Sequence, residues 1–86
     1  LKGRALGLPI HVLMGGPIRT RVRAYATGLY RRARDDHETY LREEAASYAA
    51  LGFTAMKLKT GWGVAEDVRL TRTLRDELGP AVELMV

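Results

Sequence analysis

The feature that most constrains this chain is a regular succession of turn signals and side-chain periodicities, spaced by about 30 residues per unit, the length of a strand-helix-strand step. Arg21 to Thr27 sets Val22, Ala24 and Ala26 against Arg23, Tyr25 and Thr27, the period of two that marks a strand. Asp35 and Asp36 follow, with Glu38 three residues after Asp35, which predicts a helix N-cap with an acidic first turn. Leu41, Ala45, Tyr48 and Ala49 recur at helical spacing until Gly52 stops the helix. Phe53 to Lys59 reads as a second strand, and Gly61-Trp62-Gly63 as a turn. Val64, Val68, Thr71, Leu74 and Leu78 form the apolar stripe of a second helix, ended by Gly79-Pro80. Ala81 to Val86 is a third strand. The order β-α-β-α-β with short loops means parallel strands joined by right-handed crossovers.

An α/β chain of this kind fits two architectures, an open doubly wound sheet or a closed (β/α)-barrel, for which eight units of this size give about 240 residues. Three strands cannot cover both faces of a parallel sheet. The chain opens on Leu1 rather than Met and ends within an apolar run, so it reads as a fragment of a larger protein. Residues 1–20 are different in kind, rich in turn formers, with Pro9 suited to the first turn of a short helix to about Met14 and Gly15-Gly16 ending it.

Composition removes several classes of function. No apolar run approaches the roughly 20 residues that cross a bilayer, and no apolar core follows Leu1-Lys2-Gly3-Arg4 as a signal peptide requires. Zero cysteines exclude a disulfide scaffold and a thiolate metal site, and fit a cytoplasmic protein. The net charge of +4 and pI near 9.9 raise the question of nucleic acid. The basic residues are scattered among acids, however, and neither cluster, Arg19 to Arg23 or Arg31 to Arg34, interleaves with aromatics as a stacking platform does. A solvated face or a subunit contact explains them better than nucleic acid.

The chemistry points to the second strand. Alternation sends Phe53, Ala55, Lys57 and Lys59 to one face and Thr54, Met56 and Leu58 to the other. If Met56 and Leu58 pack under the helices, the two lysines project from the opposite face at the strand's C-terminal end, where both architectures hold their sites. A wet strand face would also explain them, but a parallel sheet between crossovers has none. The chain contains eleven arginines and three lysines, and two of the three are this pair. Arginine stays charged, whereas lysine can give up its proton. Residues i and i+2 lie about 6.6 Å apart along a strand. At an effective dielectric of 20, two positive charges at that distance repel by roughly 2.5 kcal/mol, which favours the neutral amine that a general base needs.

Taken together, these residues resemble a known family. Lys57-Leu58-Lys59 lies between Gly52-Phe53 and Gly61-Trp62-Gly63, followed by a long helix and Leu84-Met85-Val86. This is similar to the second and third barrel strands of the mandelate racemase and muconate lactonizing branch of the enolase superfamily. Gly3-Arg4-Ala5-Leu6-Gly7-Leu8-Pro9, closed by Leu13-Met14-Gly15-Gly16, resembles the segment leading from that family's capping domain into its barrel. The resemblance implies a modified (β/α)-barrel, with residues 1–20 ending the capping domain and 21–86 forming the truncated N-terminal part of the barrel. It implies a metal-dependent enzyme, a racemase, sugar-acid dehydratase or lactone cycloisomerase, that removes the proton alpha to a carboxylate and holds the enediolate on Mg²⁺. Lys59 then corresponds to the base, Lys57 to the lysine that contacts the substrate carboxylate and tunes its neighbour, and Thr27 to a substrate contact at the end of the first strand. Tyr25-Ala26-Thr27-Gly28 with Tyr30-Arg31, and Gly61-Trp62-Gly63 before Glu66-Asp67, look most like sugar-acid members. The implied partner is a small carboxylate or sugar acid, not nucleic acid or membrane, in a homo-oligomeric parent protein; the fragment alone is expected to be inactive.

The family's metal carboxylates stand at the ends of the third to fifth strands, so its ligands fall beyond this chain. Glu83 precedes the strand end and does not match a ligand position, and His11 and His37, without partners at ligand spacing, read as surface or capping residues. Two rivals remain. Gly61-Trp62-Gly63 as a nucleotide loop lacks its third glycine, Glu66 standing there, and Glu66 and Asp67 oppose a phosphate at the helix N-terminus. A non-catalytic relic of a barrel would keep the lysines for packing.

Overall fold

In a computed structural model, which describes residues 1–33 and 35–86, two short helices precede an alternating β/α body. Arg34, part of the basic cluster noted above, lies outside the described residues. The elements are α1 (Lys2–Leu6), α2 (Ile10–Leu13), β1 (Ala26–Thr27), α3 (His37–Ala50), β2 (Ala55–Lys57), α4 (Val64–Leu78) and β3 (Glu83–Met85). The strands form one parallel sheet in the order β1-β2-β3, with both helices of the body as crossovers. No described helix is long and apolar enough to cross a membrane.

The core lies between the sheet and the helix pair. Met56 and Leu58 from β2 and its exit, Leu41 and Ala45 from α3, and Leu70 and Leu74 from α4 are all buried in one cluster with Ala26 and Leu29. Fully burying a side chain of this size contributes about 1.5–3 kcal/mol relative to leaving it exposed. Alternation thus put Met56 and Leu58 on the core side, but Phe53, expected on the opposite face with the lysines, packs against the same core and edge-on to Tyr48. Hydrogen bonding also runs past the short strands: Glu83 N–H donates to the Thr54 carbonyl and Leu58 N–H to the Met85 carbonyl.

Three expectations are corrected, on the first strand, the face of α4 and His37. The first strand is two residues long rather than Arg21 to Thr27, because β2 presents partners only from Met56 onward to Ala26 and Thr27. Val22 is left exposed, and Arg23 reaches the Thr54 carbonyl and the Glu83 carboxylate by its side chain instead. On α4 the buried face runs through Leu70, Thr73 and Leu74, while Val64 and Val68 are exposed. At the start of α3 the expected N-cap and acidic first turn are present as Asp36 and Glu38, although Asp36 makes no side-chain capping bond and Glu38 reaches Arg42, Arg69 and Thr73. Hydrogen bonds from Arg42 first, then Arg69 and Thr73, hold the Glu38 carboxyl below its usual range. His37 is buried rather than a surface residue, its Nδ1 accepting from Arg32 N–H at 3.3 Å. The other strands are also shorter than expected, β2 covering Ala55–Lys57 rather than Phe53 to Lys59 and β3 Glu83–Met85 rather than Ala81 to Val86, and α1 forms where only turn formers were expected.

Candidate active site

Parallel pairing decides which side chains meet. Thr27 is in register with Lys57, and Lys57 with Met85, so the three share one sheet face, opposite Ala26, Met56 and Leu84. Lys57 and Lys59 are both half-buried, and Thr27 is exposed. Lys59 stands two residues beyond Lys57, past the C-terminal end of β2 on the same face. The register thus sets Thr27 and Lys57 side by side at one end of the sheet, with Lys59 two residues further along the chain.

The exit of β1 is built to cross the exit of β2. A Cβ on Gly28 would lie 2.4 Å from the Tyr48 hydroxyl and 2.9 Å from the Glu44 carboxylate, so only glycine passes over α3 here. That hydroxyl donates to Glu44 Oε1 at 2.9 Å, which, with burial, pushes the Tyr48 phenol upward. Leu29 then adopts the left-handed region, φ 55, unusual for a branched aliphatic residue. Its fully buried side chain offsets that strain, and its carbonyl accepts the Lys59 N–H at 3.4 Å. Tyr30 follows, with the Lys59 ammonium 5.7 Å from its ring centroid, and Arg31 lies 4.9 Å over the Trp62 ring. The β2–α4 turn is fixed from the helix side: the Asp67 carboxylate accepts from Gly61 N–H at 3.0 Å and Trp62 N–H at 3.2 Å.

Sequence reasoning placed Tyr30 only as part of a resemblance, read Asp67 as part of that resemblance and as a charge against phosphate but not as the residue that fixes the turn, and gave Glu44 no part. An acid at the start of α4, behind a glycine-bounded turn, was the available signal for Asp67. Nothing local signals Glu44 or Tyr48, whose contact with Gly28 spans two elements.

Among the described residues, no group of three or more His, Cys, Asp or Glu could hold a metal ion. Glu83 sits at the first residue of β3, in register with Ala55 rather than with Lys57, and its carboxylate meets Arg23 at 2.7 Å. These residues do not fit a magnesium ion. Two grooves lie against α4, one apolar beside Val68 and Val86, the other polar between Arg31, His37, Glu66 and Arg69. Neither is lined by the lysine pair, because the inner face of a three-stranded sheet is open rather than concave.

Known proteins share this fold. The chain is 42% identical over its whole length to D-galactarolactone cycloisomerase of Agrobacterium fabrum, and 37% identical to arabinonate dehydratase of Saccharolobus solfataricus. It spans 23% of the length of each of these curated relatives. The crystal structure of the 3,6-anhydro-D-galactonate cycloisomerase from Zobellia galactanivorans superposes with a TM-score of 0.82 at 40% identity, covering 98% of this chain and 22% of that one. A family model described as enolase C-terminal domain-like matches residues 40–86, which hold both lysines and the helices that bury the back of their strand. With sequence and fold agreeing, the chain belongs to the enolase superfamily, in its enolase C-terminal domain-like family.

Proposed function

We propose that this chain carries the base-bearing part of an enzyme that removes the proton alpha to the carboxylate of a small sugar acid, leading to racemisation, dehydration or lactone cycloisomerisation. The supporting observation is the register of Thr27 with Lys57, with Lys59 one step further along the same face. In this reading the Lys59 amine takes the alpha proton. The Lys57 ammonium holds the substrate carboxylate, and the Thr27 hydroxyl, one strand over, donates to the same substrate. Residues 21–86 form the first strands of a modified (β/α)-barrel, and residues 1–20 end a capping segment. The similar proteins named for galactarolactone and arabinonate support a sugar-acid substrate. Because those proteins are about four times longer, the chain by itself is expected to be inactive.

The test is a chimera in which this chain replaces the matching segment of the Agrobacterium cycloisomerase, whose remaining residues complete the site. Exchange of the substrate's alpha proton with solvent deuterium is followed by NMR, with circular dichroism to confirm folding. Lys59→Ala should abolish exchange; exchange at the unsubstituted rate would remove Lys59 from the base's role. Lys57→Met should raise KM roughly ten- to hundredfold, the worth of a charge-assisted hydrogen bond of about 1.5–3 kcal/mol.

A further inference from the structure

The contacts at the two strand exits are more specific than packing requires. Tyr30 and Arg31 are consecutive on the β1 exit, and each meets a residue of the β2 exit, Lys59 and Trp62 respectively, through a cation over an aromatic ring. The backbone beneath Tyr30 is held as well, by the buried Leu29 side chain and by the Lys59 N–H bond to the Leu29 carbonyl. The ion pairs formed among the described residues join arginines to carboxylates and do not include Lys59. Among the described residues, the ring of Tyr30 meets the Lys59 ammonium.

We infer that Tyr30 is the positioning residue for Lys59, holding its ammonium over the ring so that the amine rests across the exits of β1 and β2 instead of extending into solvent. This rests on the reading of Lys59 as the base and adds the side chain that holds it. A ring face attracts an ammonium, so the contact sets where the end of the Lys59 side chain rests. The hydroxyl is not needed for this; the ring is.

The experiment uses the chimera described above, folded and without substrate. Limiting acetic anhydride labels Lys2, Lys57 and Lys59 of the inserted segment in competition, and mass spectrometry gives their relative rates in the unsubstituted chimera and its Tyr30→Leu and Tyr30→Phe variants. Lys59 should react more slowly than the exposed Lys2. Tyr30→Leu should speed Lys59 about two- to fivefold, the factor that corresponds to a cation–π contact at an exposed site. Tyr30→Phe should restore the slow rate, and Lys57 should change little in either variant. In NMR spectra the ε-methylene protons of Lys59 should carry an aromatic ring-current shift in the unsubstituted and Phe chimeras and lose it in the Leu chimera. The proposal is overturned if Lys59 and Lys2 react alike in the unsubstituted chimera, if Tyr30→Leu changes nothing, or if the Phe variant behaves as the Leu one does. Equal acceleration of Lys57 and Lys59 would also overturn it, since that reports general loosening. Loss of the base assignment would show instead as undiminished proton exchange in the Lys59→Ala chimera, with the labelling result intact.

Discussion

Residues 1–25 and residues 26–86 are both rich in large apolar side chains, yet only the second stretch buries any of them. In the first, Leu6, Ile10, Val12, Met14, Ile18 and Val22 are all exposed, and neither α1 nor α2 has a buried residue. In the second, Leu41, Met56, Leu70 and Leu74 are fully buried. The difference is not hydrophobicity but opposition. A helix of five residues and one of four are each only about 6–8 Å long, and they face no sheet. In the body, two helices of 14 and 15 residues lie across the same sheet face, so Leu41, Ala45, Leu70 and Leu74 find partners there. Charge follows the same division. The first stretch holds five of the fourteen basic residues and none of the ten acidic ones, while the body is close to neutral and laces its surface with Glu38, Glu66, Arg42 and Arg69.

The comparison breaks if truncation costs the same in both regions. Leu41→Ala or Leu74→Ala should cost about 2–5 kcal/mol, the transfer term plus the cavity left behind. Ile10→Ala and Ile18→Ala should stay within about 0.5 kcal/mol, as exposed substitutions do. Urea unfolding followed by circular dichroism separates the two cases, and similar losses at both places would mean that residues 1–25 share the core.

Gly28 stands just inside the body, where the chain passes from β1 over α3, and sharpens the boundary. Gly28→Ala drives a methyl group into the Tyr48 hydroxyl and should cost about 1–3 kcal/mol. Adding Tyr48→Phe removes the obstacle, so the double variant should recover part of the loss, with a coupling of at least about 0.5 kcal/mol. Strict additivity would show that the hydroxyl is not what excludes a side chain there.

The smallest effect lies where the two regions touch. Arg23 joins the first stretch to β3 through Glu83, and both side chains are more than half exposed. A double-mutant cycle on Arg23→Ala and Glu83→Ala should give about 0.2–1 kcal/mol, shrinking as salt is added. A larger coupling that ignores salt would mean residues 1–25 are docked more firmly than their exposure indicates.

What the sequence alone determined is local. Periodicity and turn chemistry reach only a few residues, and within that range they placed both long helices, the glycine-bounded turns and the order of the strands. Alternation put Lys57 and Lys59 on the face away from Met56 and Leu58, because a pleated strand has only two faces. Tertiary structure decided whatever depends on a partner. Strand length was one such case: Arg21 to Tyr25 alternate like a strand, but β2 gives them nothing to pair with. The face of α4 was another, since its apolar residues spread around the helix and burial chose an arc centred on Leu70 and Leu74, rotated about 100° from the expected stripe. The closeness of Gly28 to Glu44 and Tyr48 could not be read because it joins two separate parts of the chain. The register of Thr27 with Lys57, and the left-handed Leu29 that carries Tyr30 to Lys59, were likewise set by pairing and burial. Those are long-range choices, made by whichever arrangement leaves the fewest apolar side chains in water.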